Sequence, residues 1–229
     1  MAITTCVFDA YGTLFDVAAA ARIVAAEPGR SEFATQWPKL AEIWRAKQLQ
    51  YTWLRAITDE HTDFWTVTQN GLDFALDALG LQKDVELRER LLSLYWELQA
   101  YEEVPEMLAA LKAKGFATAI LSNGSPDMLD GAVRSAGLSE HLDAVLSVQS
   151  VGVFKPDRRV YDLVGAHFGC TKDQVLFVSS NGWDAAAANG YGFSCVWVNR
   201  ASDPMDRLPF TAQHQMQDLT DIPKLAEAT

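Results

Sequence analysis

The residues best suited to chemistry are Asp9, Ser122, Asn123, Lys155, Ser179, Asn181 and Asp184. Asp9 closes the apolar, β-branched run ITTCVF (3–8) and precedes Ala10-Tyr11-Gly12-Thr13. A carboxylate at a strand end, beside a glycine-bearing turn, can be held ionised by backbone N–H groups and act as a nucleophile. The same residue reads at least as readily as a cap on the following turn. Lys155 stands just before Pro156, ahead of a helix. Its ammonium there can pair with Asp9 and a substrate anion, or simply be a solvated loop lysine. Ser122 and Asn123 follow a strand and can donate to an anion, although capping and turn bonds use the same groups. Asp184 lies near the start of a short helix, where pairing with the helix dipole is the alternative. Arg45, in WRAKQLQYTWLR, reads by itself as an exposed helix arginine. The aromatics Trp44, Tyr51, Trp53 and Trp65 read as helix-bundle core rather than a ligand box. His61, His141, His167 and His214 show no metal-binding spacing and read as structural.

The elements that must position these residues fall into two textures. Residues 16–100 look wholly helical. Leu40, Ile43, Trp44, Tyr51 and Leu54 form one helix face. Leu72, Leu76 and Leu79, stopped by Gly80, form a second. Leu87, Leu91, Leu94 and Leu98 mark a third. From about residue 104 strands and helices alternate. Pro105 opens a helix that Gly115 closes, and FATAIL (116–121) is a strand leading into Ser122. Ser125 and Pro126 read as the N-cap and first residue of the next helix. A strand follows near 144–147, then a helix opened by Pro156 and running through Tyr161. VLFV (175–178) is a buried strand, a short helix begins near Trp183, and CVWV (195–198) is a further strand. Alternation of this kind predicts an α/β fold: a Rossmann-like parallel sheet with helices on both faces. Residues 1–15 and 101–229 would form that core, and 16–100 a helical cap inserted after the first strand. Asp9, Ser122, Asn123, Lys155, Ser179, Asn181 and Asp184 then converge at the C-terminal edge of the sheet, where open α/β sheets bind ligands.

The 229 residues are 49% apolar and 21% charged, an ordinary globular balance long enough to bury a core without disulfide or metal staples. The formal net charge of −11 argues against a nucleic-acid footprint and against adhesion to anionic membranes. The three cysteines, Cys6, Cys170 and Cys195, have no paired spacing. Cys6 and Cys195 sit in apolar runs as buried thiols, which fits a reducing compartment. There is no secretory signal pattern and no apolar run approaching a membrane span, so the cytoplasm is the expected location.

Taken together, the motifs resemble the haloacid dehalogenase superfamily. Its nucleophilic Asp matches Asp9 in FDAYGTLFD, its strand-end Ser or Thr matches Ser122 in LSNGSP, its Lys matches Lys155 in FKPD, and its last acidic cluster matches FVSSNGWD. WRAKQLQYTWLR, LSNGSP, KPDRRVY and FVSSNGWD together are similar to the bacterial L-2-haloacid dehalogenases, over nearly the whole chain from Cys6 to Asn199. The stretch from Asp16 to Pro38 is less typical, and its Ala18–Ala21 run carries no recognisable motif. The phosphatases of the superfamily have a second Asp two residues after the nucleophile, where this chain has Tyr11. A phenol is a poor replacement for that acid, whereas a halide leaves without a proton. Ser179, Ser180 and Asn181 stand where those phosphatases place further acids, which leaves a poor magnesium cage.

The resemblance implies in-line attack of Asp9 on C2 of an L-2-haloalkanoate, an aspartyl ester, and hydrolysis to a D-2-hydroxy acid. It implies that Arg45 receives the halide, with Asn123 and Trp183 lining the same cradle. Ser122 and the N–H groups of Ala10 and Tyr11 would hold the substrate carboxylate. Lys155 would orient Asp9. Ser179, Asn181 and Asp184 would position Lys155 and the hydrolytic water, with Asp184 as the base. Thr13 and Tyr161 would support these groups, and Tyr11, Leu49 and Trp183 would form an apolar wall. No metal or cofactor is implied, and the expected partners are a small 2-haloacid, a halide and a second copy of the chain. The rival readings are a magnesium-dependent phosphatase, a non-enzymatic relative, and a dehalogenase preferring haloacetate or fluoroacetate.

Overall fold

A computed structural model describes residues 2–229. Its centre is a six-stranded sheet of β1 (Thr5–Phe8), β2 (Ala117–Ser122), β3 (Ala144–Ser147), β4 (Val175–Ser179), β5 (Ser194–Val198) and β6 (His214–Met216). The order is β3-β2-β1-β4-β5-β6, and every adjacent pair is parallel. All residues of β1 and β4 are buried. That explains why both read as continuous apolar runs rather than alternating ones. β1 lies between β2 and β4, so the strand order reverses at β1 and its C-terminal end is the switch point of the sheet.

Four helices follow β1 before residue 100: α1 (Ala19–Ala25), α2 (Phe33–Thr58), α3 (Phe64–Ala78) and α4 (Val85–Trp96). Asp63 caps α3 by accepting from Thr66 N at 2.9 Å, and Asp84 caps α4 by accepting from Leu87 N at 2.8 Å. α1 packs on α2 and α4, and its buried Ala19, Ala20 and Ala21 allow that close approach. The two chain segments flanking these helices pair with each other. Asp16 N donates to Gln99 O at 2.9 Å, Tyr101 N donates to Leu14 O at 3.0 Å, and Phe15 bridges Ala100.

The remaining helices are α5 (Val104–Ala113), α6 (Pro126–Ser135), α7 (Arg158–Phe168), α8 (Gly182–Tyr191) and α9 (Ile222–Ala228). Among the described residues, no helix is long and apolar enough to cross a membrane.

Several expectations need correction. Residues 16–100 are not helical throughout, since Leu98 lies past the end of α4 and the segment returns extended to the sheet. The buried stripe of α2 is Leu40, Trp44, Gln48 and Thr52, while Leu54 is 51% exposed. Two polar residues replace the expected apolar ones: the Thr52 hydroxyl donates to Leu49 O at 2.8 Å within α2, and Gln48 finds partners on α3 and α4. Gln48 Nε2 donates to Thr68 Oγ1 at 2.9 Å and to Tyr95 Oη at 3.1 Å. Ser125 occupies the N-cap of α6 without a side-chain cap bond. The helix after Lys155 starts at Arg158, two residues beyond Pro156, because Asp157 is its N-cap and accepts from Arg159 N. β6 and α9 were not expected as elements.

Candidate active site

Asp9 follows the last residue of β1, and its N–H donates to Val178 O on β4 at 2.9 Å. The turn after it needs Gly12, whose φ of 91° is a conformation that a side chain disfavours. This turn brings Thr13 back under the carboxylate. Thr13 Oγ1 lies 3.1 Å from Asp9 Oδ2, Asn181 Nδ2 donates to Oδ2 at 2.9 Å, and Lys155 Nζ donates to Oδ1 at 3.1 Å. Side chains therefore hold Asp9, not the backbone N–H groups expected from the turn. Among the described residues, the N–H groups of Ala10 and Tyr11 have no acceptor.

Lys155 is 1% exposed, and its Nζ also donates to Asp184 Oδ2 at 2.8 Å. Burial alone would lower its pKa, but the charges of Asp184 and Asp9 outweigh that and raise it. Asp184 is fully buried at the start of α8, and its second oxygen accepts from Tyr161 Oη at 2.7 Å. It is bound to this network rather than to the helix end. Burial raises its pKa, the Asp9 charge adds to the rise, and Lys155 opposes it. The Tyr161 hydroxyl is pushed up by burial and by Asp184.

Arg45 reaches the same place from α2. Its Nη2 donates to Tyr11 O at 2.9 Å and to Asn181 Oδ1 at 3.2 Å. Asn181 thus presents one end of its amide to Asp9 and the other to Arg45. Ser179 Oγ accepts from Asn181 N at 3.1 Å, so it shapes this turn. Asn123 Oδ1 accepts from Lys155 N at 2.9 Å, and Ser122 Oγ accepts from Gly124 N at 3.0 Å.

A cavity of about 260 Å³ opens over Asp9, lined by Tyr11, Arg45, Leu49, Phe64, Ser122, Asn123, Lys155, Asn181 and Trp183. Each of these residues had been singled out in the sequence except Phe64, the first residue of α3. Thr13, Tyr161, Ser179 and Asp184 support the cavity from outside its lining. Tyr11 stacks on Tyr95 with ring centroids 5.8 Å apart and planes 13° apart, and lies 5.6 Å from Phe64. Its hydroxyl is pushed well up by burial and, to a lesser degree, by Tyr95 and Asp9. Tyr11 Oη and Trp183 Nε1 are buried and have no hydrogen-bond partner among the described residues. The sequence reading also missed Ser180, whose Oγ lies 3.1 Å from Thr13 Oγ1 and whose N–H donates to that atom at 2.8 Å. Its only signal was its place inside FVSSNGWD.

The arrangement suits displacement by a carboxylate more than metal-assisted hydrolysis. The oxygens of Asp9 and Asp184 both face the Lys155 ammonium, which would repel a divalent cation placed between them. Among the described residues, no group of three or more His, Cys, Asp or Glu could hold a metal ion. The residues present do not fit a magnesium ion with its demand for several hard oxygens.

The family model described as haloacid dehalogenase-like hydrolase matches residues 3–192. (S)-2-haloacid dehalogenase 1 of Pseudomonas sp. (strain CBS-3) is 42% identical over 223 residues, covering 97% of this chain and 96% of that protein. The (S)-2-haloacid dehalogenase of Xanthobacter autotrophicus is 46% identical over 197 residues, covering 86% and 75% respectively. The solved L-2-haloacid dehalogenase from Xanthobacter autotrophicus with chloropropionic acid covalently bound superposes with a TM-score of 0.87 at 36% identity, covering 97% of this chain and 98% of that one. With the family model matching residues 3–192 and relatives 42% and 46% identical over most of its length, the chain belongs to the haloacid dehalogenase-like hydrolases and, within them, to the (S)-2-haloacid dehalogenases.

Proposed function

We propose that the protein hydrolyses short-chain L-2-haloalkanoic acids to D-2-hydroxy acids through an ester on Asp9. The observation that carries this reading is Asp9 itself. Its carboxylate is fixed by Lys155, Asn181 and Thr13 at the floor of a small cavity, with the Arg45 guanidinium bound to the same Asn181. An Asp9 oxygen attacks C2, the C–halogen bond breaks, and the halide leaves with the bonding pair toward Arg45, Asn123 and Trp183. Ser122 and the N–H groups of Ala10 and Tyr11 hold the substrate carboxylate. Tyr11, Leu49 and Trp183 enclose the alkyl group and exclude water from the displacement. Backside attack inverts C2. Water then adds to Cγ of Asp9, with Asp184 taking its proton, and the Cγ–O bond to the product breaks as that proton passes to the departing oxygen. The hydroxyl oxygen of the product is therefore the former Asp9 oxygen, and the water oxygen stays in Asp9.

Residues 16–100 would serve as a cap over a core of residues 1–15 and 101–229. The paired flanking segments around Phe15 and Ala100, and the delivery of Arg45 and Phe64 from α2 and α3, support that division. A homodimer is proposed through the outer face of these helices, where Leu54 and Phe74 are exposed. The three free cysteines support a cytoplasmic location.

Halide release from separate L- and D-2-chloropropionate samples in excess EDTA tests the reaction. Release from the L-form alone is expected. A single turnover in H₂¹⁸O should label Asp9 and leave the product unlabelled. Release from neither form, or activity that EDTA abolishes, refutes the reading.

A further inference from the structure

Trp183 faces a second space besides the catalytic cavity. An open cleft of about 1110 Å³ is walled by Trp53, Ile57, Arg158, Trp183, Leu208 and Phe210. Ile57 is 81% exposed, Leu208 43% and Phe210 52%. Three large apolar side chains converging on one cleft differ from the single scattered ones that any surface carries. The far wall is seated firmly. The Phe210 ring lies so close over Gly190 that a Cβ there would come within 2.4 Å of it. The Trp53 and Trp183 rings meet edge to face with centroids 5.4 Å apart. Trp183 lines the catalytic cavity and the cleft alike, so this pair is the partition between them.

Among the described residues, Arg158 is the one charged residue lining the cleft. It is exposed, its guanidinium lies 5.4 Å from the centre of the Tyr191 ring, and among the described residues no carboxylate pairs with it. In a chain of formal net charge −11, an unpaired cation beside an apolar wall is a local attraction for an anion with a hydrocarbon tail.

We propose that this cleft is an encounter site for alkyl carboxylates. The carboxylate rests at Arg158, the chain lies against Ile57, Leu208 and Phe210, and the anion passes inward when Trp53 turns away from Trp183. As an antechamber for 2-haloalkanoates, the inference rests on the function proposed above. The binding itself does not require the reaction.

Isothermal titration calorimetry with unhalogenated carboxylates from butanoate to octanoate separates the two. Affinity should rise about fourfold for each added methylene in the wild type. Ile57→Asn should flatten that rise. Arg158→Gln should weaken octanoate about tenfold at low salt, and the gap should close at high salt as exposed charges are screened. Equal octanoate affinity in wild type and Arg158→Gln, or affinity independent of chain length, overturns the proposal. So does light scattering in which octanoate dissociates a dimer, because the cleft would then belong to a second copy. Chloride release from L-2-chloropropionate, assayed alongside, reports on the proposed reaction alone. Its absence with octanoate binding intact would sink the reaction and leave the anion site standing.

Discussion

Arg45 Nη2 donates to Asn181 Oδ1 at 3.2 Å, joining a helix inserted after β1 to the turn that follows β4. The same nitrogen holds Tyr11 O at 2.9 Å. The guanidinium is therefore fixed before any charge develops on a leaving group, which is the condition under which a cation stabilises a transition state most. Lysine does not reproduce this, because its ammonium is a single nitrogen and, once bound to these two acceptors, leaves no second nitrogen to face a halide. Arg45→Lys and Arg45→Ala should each lower kcat about 10²- to 10³-fold, with little change in the urea midpoint. A variant that keeps kcat and changes only KM would assign Arg45 to ground-state binding instead.

Lys155 balances two buried carboxylates, and its removal should make stability depend more steeply on pH. In the wild type the Lys155 pKa is raised above 10.5, so its contribution is complete below that value and is lost as pH climbs through the folded value. In Lys155→Met, Asp9 and Asp184 face each other without a cation. Asp184, already raised by burial, is raised further. The folded state then binds a proton more tightly than the unfolded chain, so stability grows as pH falls. The expected loss is about 3–5 kcal/mol near pH 8, shrinking toward pH 5. Urea midpoints at several pH values check this, and a deficit that stays constant from pH 8 to 5 would contradict it.

The site was more legible in the sequence than the helices that complete it, for a physical reason. Asp9 follows β1, and Ser122 and Ser179 end β2 and β4; these strands are buried almost throughout, so continuous apolar runs announce where each one ends. Phe64 and Tyr95 gave no comparable signal. An aromatic residue on an amphipathic helix looks the same whether it faces a neighbouring helix or a cavity. Leu54 was misplaced because periodicity counts apolar residues, while the buried stripe of α2 includes Gln48 and Thr52. β6 went unnoticed because His214-Gln215-Met216 is a short edge strand with no apolar run. Arg45 and Lys155 were ambiguous taken singly, and only the resemblance of the surrounding motifs separated them from ordinary surface cations.

Tyr161 offers a probe of Asp184 that leaves every charge in place. Its hydroxyl donates to Asp184 Oδ1 at 2.7 Å, a bond that favours the ionised carboxylate. Tyr161→Phe should cost about 1.5–3 kcal/mol, as expected for a hydrogen bond to a charged group. Without that donor the Asp184 pKa rises further, so the acid limb of the kcat profile should move to higher pH. A purely structural role would lower stability and leave that limb where it was.

Gly124 tests whether the aromatic wall is held by shape. A Cβ at this position would lie 2.7 Å from Tyr11 Cε2 and 3.0 Å from two atoms of Leu129, closer than side chains pack. Leu129 is fully buried in α6, so the strain falls on the Tyr11 ring. That ring is backed in turn by Tyr95 and Phe64, so the side left for it to yield into is the cavity. Gly124→Ala should therefore cost about 1–3 kcal/mol, the usual penalty for overpacking. By shifting Tyr11 into the cavity it should also raise KM for 2-chloropropionate more than it lowers kcat. Repeating the assay with chloroacetate, which lacks the C3 methyl group, should show a smaller rise in KM. An equal rise for both acids would mean that the displaced ring blocks the carboxylate or the halide rather than the alkyl group.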